Sequence, residues 1–270
     1  MDKRRVLITG AGSGLGLALA QRYARSGARV ACVDISSERA DAARDGLAGD
    51  GHLADVADVG DDASMQALYD RINADWGGVD VLINNAGIAS VGPMTTTTMD
   101  EWRKVLEIDL LGVVRGCRLF LPAMLAAGKG QIINTASFAG LAGAPGGMTY
   151  GVAKAGVVAL SEQLRAEVEH KGVRVSVICP AFFRTNLMDT AIASDDVKAR
   201  VHKLMDRSPD TVDSVADNVF ADAERGKFMI IPTKREPGYW RMKRWLPEMY
   251  FRSVRRAAIY APERQQTPPQ

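Results

Sequence analysis

Cysteine and histidine are scarce in this 270-residue chain, and neither arrangement suits a staple. Cys32, Cys117 and Cys179 are odd in number and fall inside predicted strands or a helix. That excludes a disulfide framework and is the usage of buried, reduced thiols, so a cytoplasmic setting is expected. His52, His170 and His202 stand far apart and share no ligand spacing with the cysteines, so no metal site is expected. No apolar run reaches the ~18–20 residues that span a bilayer. The chain enters its first predicted strand almost at once, and no secretory leader is expected. Internal repeats are absent. Neither sign of charge dominates, with 34 Lys and Arg against 32 Asp and Glu.

What is present suits one α/β domain with a substantial core, at 47% hydrophobic and 24% charged residues. Strands are predicted near 5–9, 29–33, 51–54, 79–84, 130–136, 173–178 and 227–231. Long helices are predicted near 14–26, 61–76, 99–126, 148–170 and 211–224. The alternation predicts a parallel sheet of seven strands with helices on both faces.

The first strand breaks into Gly10-Ala11-Gly12-Ser13-Gly14-Leu15-Gly16, and a helix-forming run follows. A glycine-rich turn between strand and helix lets backbone approach a pyrophosphate, and free N–H groups at the helix start bind the anion. Gly10, Ser13, Gly14, Leu15 and Gly16 are therefore candidate cofactor contacts. Their spacing, Gly-x-x-x-Gly-x-Gly, only partly overlaps the common dinucleotide fingerprint. The second strand ends at Asp34, about twenty residues on, where a carboxylate can bond a ribose 2′-hydroxyl and repel a 2′-phosphate. Arg39 could reach such a phosphate but lies a turn into the next helix. NAD is expected over NADP.

Tyr150 and Lys154 stand one helical turn apart and share a face. Tyrosine ionises near pH ~10 and is alone a poor acid–base at neutral pH. A lysine ammonium beside it favours the phenolate and lowers that pKa, which makes the pair a candidate general acid–base.

Four further motifs stand in order at predicted strand ends: Asp55-Val56; Asn84-Asn85-Ala86-Gly87; Ser137; and Pro180-Ala181-Phe182-Phe183-Arg184-Thr185. With the glycine loop and the Tyr150/Lys154 pair, they make the chain resemble the short-chain dehydrogenase/reductase family over about residues 4–232. The resemblance implies a Rossmann-type doubly wound domain and NAD(P)-linked alcohol/carbonyl chemistry. It implies a catalytic group of Ser137, Tyr150 and Lys154, with Ser137 holding the substrate oxygen. It further implies cofactor contacts from Asp55, Val56, Asn85, Ala86, Gly87, Tyr150, Lys154, Pro180, Phe183 and Thr185.

Two positions depart from the family pattern. Asp109 stands where the family usually has Asn, a residue that kinks its helix and supports a water relay to the lysine. Asp is nearly isosteric and is retained as a fourth catalytic candidate. Its charge would raise the Lys154 pKa and weaken that lysine's pull on Tyr150. Ala181 replaces a usual Gly and puts a methyl near the nicotinamide.

The expected catalytic unit is 1–232, with residues 186–210 forming a mobile lid by resemblance. Phe138, Leu141, Met148, Phe182 and Phe183 are expected around the opening, and no motif places a cation for a substrate carboxylate. A small lipophilic secondary alcohol or its ketone is therefore the expected substrate. The extension 233–270 is basic. Nine Lys and Arg face three Glu over 232–270, leaving about −4 for the rest of a chain whose formal charge is +2. Pro247 suits the first turn of a new helix, on which Leu246, Met249, Tyr250, Val254 and Ala257 share one face. That face could meet a membrane interface through 239–259, cover the substrate entrance or another subunit, or dock on its own domain. Nucleic acid is not expected, and 262–270 is expected to be disordered. By resemblance a homotetramer or homodimer is expected, with 99–126 and 148–170 at the interface. The alternative function is a non-catalytic NAD-binding scaffold recruited by its tail, supported only by Asp109 and Ala181.

Overall fold

The structure is a computed structural model that describes residues 3–143 and 145–259. Its first half runs β1 (Arg5–Thr9), α1 (Gly14–Arg25), β2 (Arg29–Asp34), α2 (Ser37–Asp45), β3 (Leu53–Val56), α3 (Asp62–Trp76), β4 (Val81–Asn84), α4 (Met99–Leu106) and α5 (Gly112–Ala126). The second runs β5 (Gly130–Thr135), α6 (Phe138–Ala142), α7 (Met148–Val168), β6 (Val173–Ile178), α8 (Asp195–Asp206), α9 (Val212–Glu224), β7 (Met229–Ile230), α10 (Glu236–Trp245) and α11 (Pro247–Ile259).

The strands form one sheet in the order β3-β2-β1-β4-β5-β6-β7, every pair parallel. This is the doubly wound Rossmann-type fold. Both faces are covered, so the central strands read as continuous apolar runs. Leu7 faces the layer that holds α3 and α5, whereas Val6 and Ile8 face the layer that holds α1 and α9. Strand order reverses between β1 and β4, and the crevice at their carboxyl ends is where such sheets bind ligands.

Three local differences from the sequence reading matter to the site. The helix expected over 99–126 is interrupted by a π-helical turn, Glu107–Leu111. Such insertions recur at functional sites. This one turns Asp109 into the interior, with none of its surface exposed. Strand β3 starts two residues later than expected. The helix α2, unannounced by pattern, buries only Ala40 and Ala43 and so has almost no apolar stripe to read.

The segment 186–210 holds one 3-10 turn, Asn186–Met188, and the helix α8. It lies against the loop after β4: Ile192 N donates to Ala89 O at 2.9 Å and Val91 N donates to Ile192 O at 3.0 Å. Met188, Ala191 and Met205 pack on Ala89 in a small apolar cluster of their own.

Beyond β7, α10 and α11 pack on each other, and α10 rests on α6. The Lys243 ammonium donates to the Leu141 carbonyl. Pro247 does open a helix, but the expected apolar face divides. Tyr250 is buried and Val254 half-buried, while Leu246 and Met249 are exposed. The side chain of Ala257 and the segment 262–270 lie outside the described residues. Among the described residues no helix is long and apolar enough to cross a membrane.

Candidate active site

The carboxyl ends of β1, β2, β4, β5 and β6 surround one cleft of about 780 Å³. Its floor begins at the glycine loop. Gly14 takes φ +53°, a conformation other residues rarely adopt. A side chain at Gly16 would put its Cβ 2.0 Å from the Gly10 carbonyl oxygen, so only glycine lets α1 start this close to β1. Gly16 itself does not line the cleft, whereas Gly10, Ser13, Gly14 and Leu15 do. Asn85 clamps the loop from β4, its Nδ2 donating to Thr9 O at 3.0 Å and Gly10 O at 3.3 Å.

Asp34 closes the far end and is nearly buried. Its Oδ2 accepts from Gly12 N at 3.0 Å and its Oδ1 from Ser36 N at 3.1 Å. Arg39 does not stand off as expected. Its guanidinium reaches back one turn and gives Oδ1 two bonds, from Nε at 3.0 Å and from the terminal nitrogen at 2.5 Å. Arg39 also lines the cleft.

Asp55 and Val56 are displaced from their expected place. The Asp55 carboxylate pairs with Arg71 of α3 at 2.8 Å, Val56 is exposed, and neither lines the cleft. Asp58 and Val59 line it instead. The signal was available, because the dipeptide Asp-Val occurs twice, three residues apart. Ala86, Gly87, Pro180, Phe183 and Thr185 all line the cleft. Leu141 and Met148 do not: Leu141 packs on the core and Met148 is exposed.

Ser137, Tyr150 and Lys154 meet midway along the cleft. Ser137 caps α6, its Oγ accepting from Ala139 N at 3.1 Å and donating to Pro180 O at 3.4 Å. Tyr150 and Lys154 share one face of α7, with the ammonium 5.6 Å from the centre of the phenol ring. Lys154 Nζ is buried and donates to Thr135 O at 3.2 Å. Behind it stands Asp109, outside the cleft lining. One Asp109 oxygen, Oδ1, accepts from Ile88 N at 2.8 Å, and the other lies 3.4 Å from Lys154 Nζ. A side chain at Gly87 would come within 3.2 Å of both charged groups.

The electrostatics are therefore those of a buried trio. Burial pushes Tyr150 above the usual phenol value, Asp109 adds to that push, and Lys154 and a hydrogen bond to Ser137 oppose it. The Tyr150/Lys154 spacing predicts a lowered pKa, with Asp109 only weakening the lysine's pull; burial makes the direction upward instead. Burial depresses Lys154, but Asp109 and Tyr150 outweigh it and hold the ammonium above its ordinary value. Burial likewise raises Asp109 against the pull of Lys154.

One supporting network escaped the sequence reading. Asn84 Nδ2 donates to Asn134 Oδ1 at 2.9 Å, and Asn134 Nδ2 donates to Ser161 Oγ at 3.0 Å, all buried. It ties β4 and β5 to α7, the helix that carries Tyr150 and Lys154. No pairwise spacing announces it, because its members come from three separate elements.

A flat dinucleotide fits this cleft. The glycine loop and the N-terminus of α1 supply N–H groups for phosphate. Asp34 supplies an acceptor at the ribose end, and the volume lies in the range of cofactor sites. A glycine-lined cleft that also holds a Ser–Tyr–Lys group defines a nucleotide-dependent oxidoreductase of the Rossmann class. The pattern of the short chain dehydrogenase family matches residues 4–196. The chain belongs to that family. It is 40% identical over 189 residues to D-threitol dehydrogenase from Mycolicibacterium smegmatis, covering 69% of this chain and 73% of that one. It superposes on a short chain dehydrogenase/reductase from Burkholderia phymatum in complex with NAD, with a TM-score of 0.81 and 27% identity over 100% of this chain and 98% of that one. It also superposes on a short-chain dehydrogenase from Sphingobium yanoikuyae in complex with NADPH, with a TM-score of 0.74 and 26% identity over 99% of each chain. The protein is thus a dehydrogenase/reductase of a family whose members take nicotinamide cofactors.

Proposed function

We propose that the protein interconverts a hydrophobic secondary alcohol and its ketone with NAD, and that Tyr150 moves the proton. The observation that carries this reading is the convergence of Ser137, Tyr150 and Lys154 beside the glycine loop in one cleft. In oxidation the Ser137 hydroxyl bonds the alcohol oxygen and orients it. The alcohol proton passes to the Tyr150 phenolate oxygen as the carbonyl forms, and in reduction Tyr150 returns it. The Lys154 ammonium stabilises the phenolate and would hold the ribose hydroxyls of a bound cofactor. Bound nicotinamide supplies the hydride acceptor in one direction and the donor in the other.

The NAD preference rests on Asp34. A 2′-phosphate would meet its carboxylate, and the nearby Arg39 cation is already engaged by that same carboxylate. The apolar substrate follows from the far wall, where Phe182, Leu187, Met188, Val201, Leu204 and Met205 face the opening. Arg39 and Lys154 are the only cations among the described residues that line the cleft, so neither stands free for a substrate carboxylate.

The test is a panel of aliphatic, aromatic and steroidal alcohols and ketones with hydrophilic polyols beside them, followed by absorbance of the reduced cofactor with NAD and with NADP. Turnover of apolar secondary alcohols with NAD is expected. Turnover restricted to NADP would overturn the cofactor assignment, and turnover restricted to hydrophilic polyols would overturn the substrate class. NAD binding without any turnover would favour the scaffold alternative.

A further inference from the structure

The corner between α10 and α11 carries exposed apolar surface that the fold does not use. Trp245 is 77% exposed, Leu246 53% and Met249 51%, and they surround the turn into Pro247. Phe251, one turn on, is also exposed. These groups are surplus to the packing of α11 on α10, in which Tyr250 is already buried and Val254 half-buried. Exposed contiguous apolar groups on a folded chain mark an interaction surface.

The charge around the corner indicates what meets it. Met249, Arg252 and Arg256 follow one another at spacings of three and four, so they share one outward stripe of α11. Arg252, Arg255 and Arg256 are exposed and have no acidic partner among the described residues. Within α10, Arg244 lies over the Trp240 ring. The extension as a whole holds nine Lys and Arg against three Glu, while the remainder of the chain is net acidic. An apolar, tryptophan-bearing corner backed by unpaired arginines is complementary to an anionic bilayer surface. Such a corner suits the headgroup boundary, where arginine stems can lie along apolar surface while the guanidinium groups reach phosphate.

We propose that the α10–α11 corner docks the protein on an anionic lipid surface. The inference stands on exposure and charge alone and does not depend on the chemistry assigned to the cleft. It has one consequence for that cleft. Because α10 rests on α6, and Phe138, Ala139 and Ala142 of α6 line the cleft, docking brings the catalytic unit to where lipophilic molecules partition.

The experiment is co-sedimentation of the full chain with two kinds of vesicle, phosphatidylcholine alone and phosphatidylcholine mixed with phosphatidylglycerol. Tryptophan emission and light scattering are read on the same samples. Binding to the mixed vesicles is expected, weakened by salt, with a blue shift of the emission. Trp245→Ser with Met249→Ser should abolish the blue shift, and Arg252→Glu with Arg256→Glu should lower partitioning by roughly tenfold or more, since each basic group near an anionic surface contributes about fivefold. Both variants change exposed residues outside the cleft, so circular dichroism and cofactor affinity should match the parent. No partitioning to anionic vesicles, or partitioning that the variants leave intact, would overturn the proposal. So would variants that dissociate an oligomer while the parent ignores vesicles, since the corner would then belong to a second copy of the chain.

Discussion

Replacing Asp109 with Asn removes one negative charge and keeps an oxygen for the Ile88 N–H. Asp109 Oδ2 lies 3.4 Å from Lys154 Nζ, which lies 5.6 Å from the centre of the Tyr150 ring, so the carboxylate and the ring are separated by at most the sum of the two. At an effective dielectric constant of ~20, two unit charges at that separation interact by about 1.8 kcal/mol. The carboxylate therefore adds to the upward push that burial exerts on the Tyr150 pKa. The sign follows directly. Asp109 opposes the phenolate, so its removal lets Tyr150 ionise at lower pH. The rising limb of kcat/KM for alcohol oxidation should therefore move to lower pH in Asp109→Asn, and the falling limb of ketone reduction should move with it. Profiles in both directions on the purified variant provide the assay, with thermal unfolding as the control for folding. An unmoved limb in a folded variant would refute the reasoning, as would a limb that moves up. A merely structural role for Asp109 would lower activity at every pH and leave the limbs in place.

Two other substitutions test the cofactor end. Asp34→Asn removes the charge that engages Arg39, and charge-assisted bonds of this kind are worth about 1.5–3 kcal/mol. The ratio of kcat/KM for NADP to that for NAD should therefore rise by roughly tenfold or more, and an unchanged ratio would show that Arg39 plays no part in the choice. Gly16→Ala puts a methyl against the Gly10 carbonyl, a backbone atom that has little room to move. It should destabilise the fold by about 1–3 kcal/mol, as overpacking does, and weaken NAD binding further. Calorimetric unfolding and NAD titration measure both, and a variant with parent-like values would contradict the packing argument.

Much of this was legible in the sequence because the fold writes itself in strand-end motifs. The glycine loop, Asn85, Ser137 and Pro180 each follow an apolar run that both faces of the sheet bury, so the period and the turn residues agree. The Tyr150/Lys154 pair was legible because a spacing of four fixes a shared helix face. What was not legible depended on direction or depth. Arg39 looked remote along the chain, yet a long side chain on the first turn of α2 points back over Asp34. The rise in the Tyr150 pKa comes from burial, which pair spacing does not report. The π turn that buries Asp109 adds one residue to a helix without altering its apolar composition. The motif is read at Asp55-Val56 because β3 is placed two residues early, and a shift of this kind moves a motif from cleft to surface. The outward Leu246 and Met249 share a helical face in projection, but α10 ends at that corner and α11 leaves in a new direction.

The claim that Tyr150 carries the proton is tested most directly by Tyr150→Phe. The ring is kept and only the hydroxyl is lost, so the fold and the cofactor cleft should persist. NAD affinity should stay close to that of the parent, while turnover of any substrate the parent accepts should fall by about 10²–10⁴-fold, the range for general acid–base catalysis. A variant that binds NAD and still turns over at the parent rate would contradict the account and move the proton chemistry to another group.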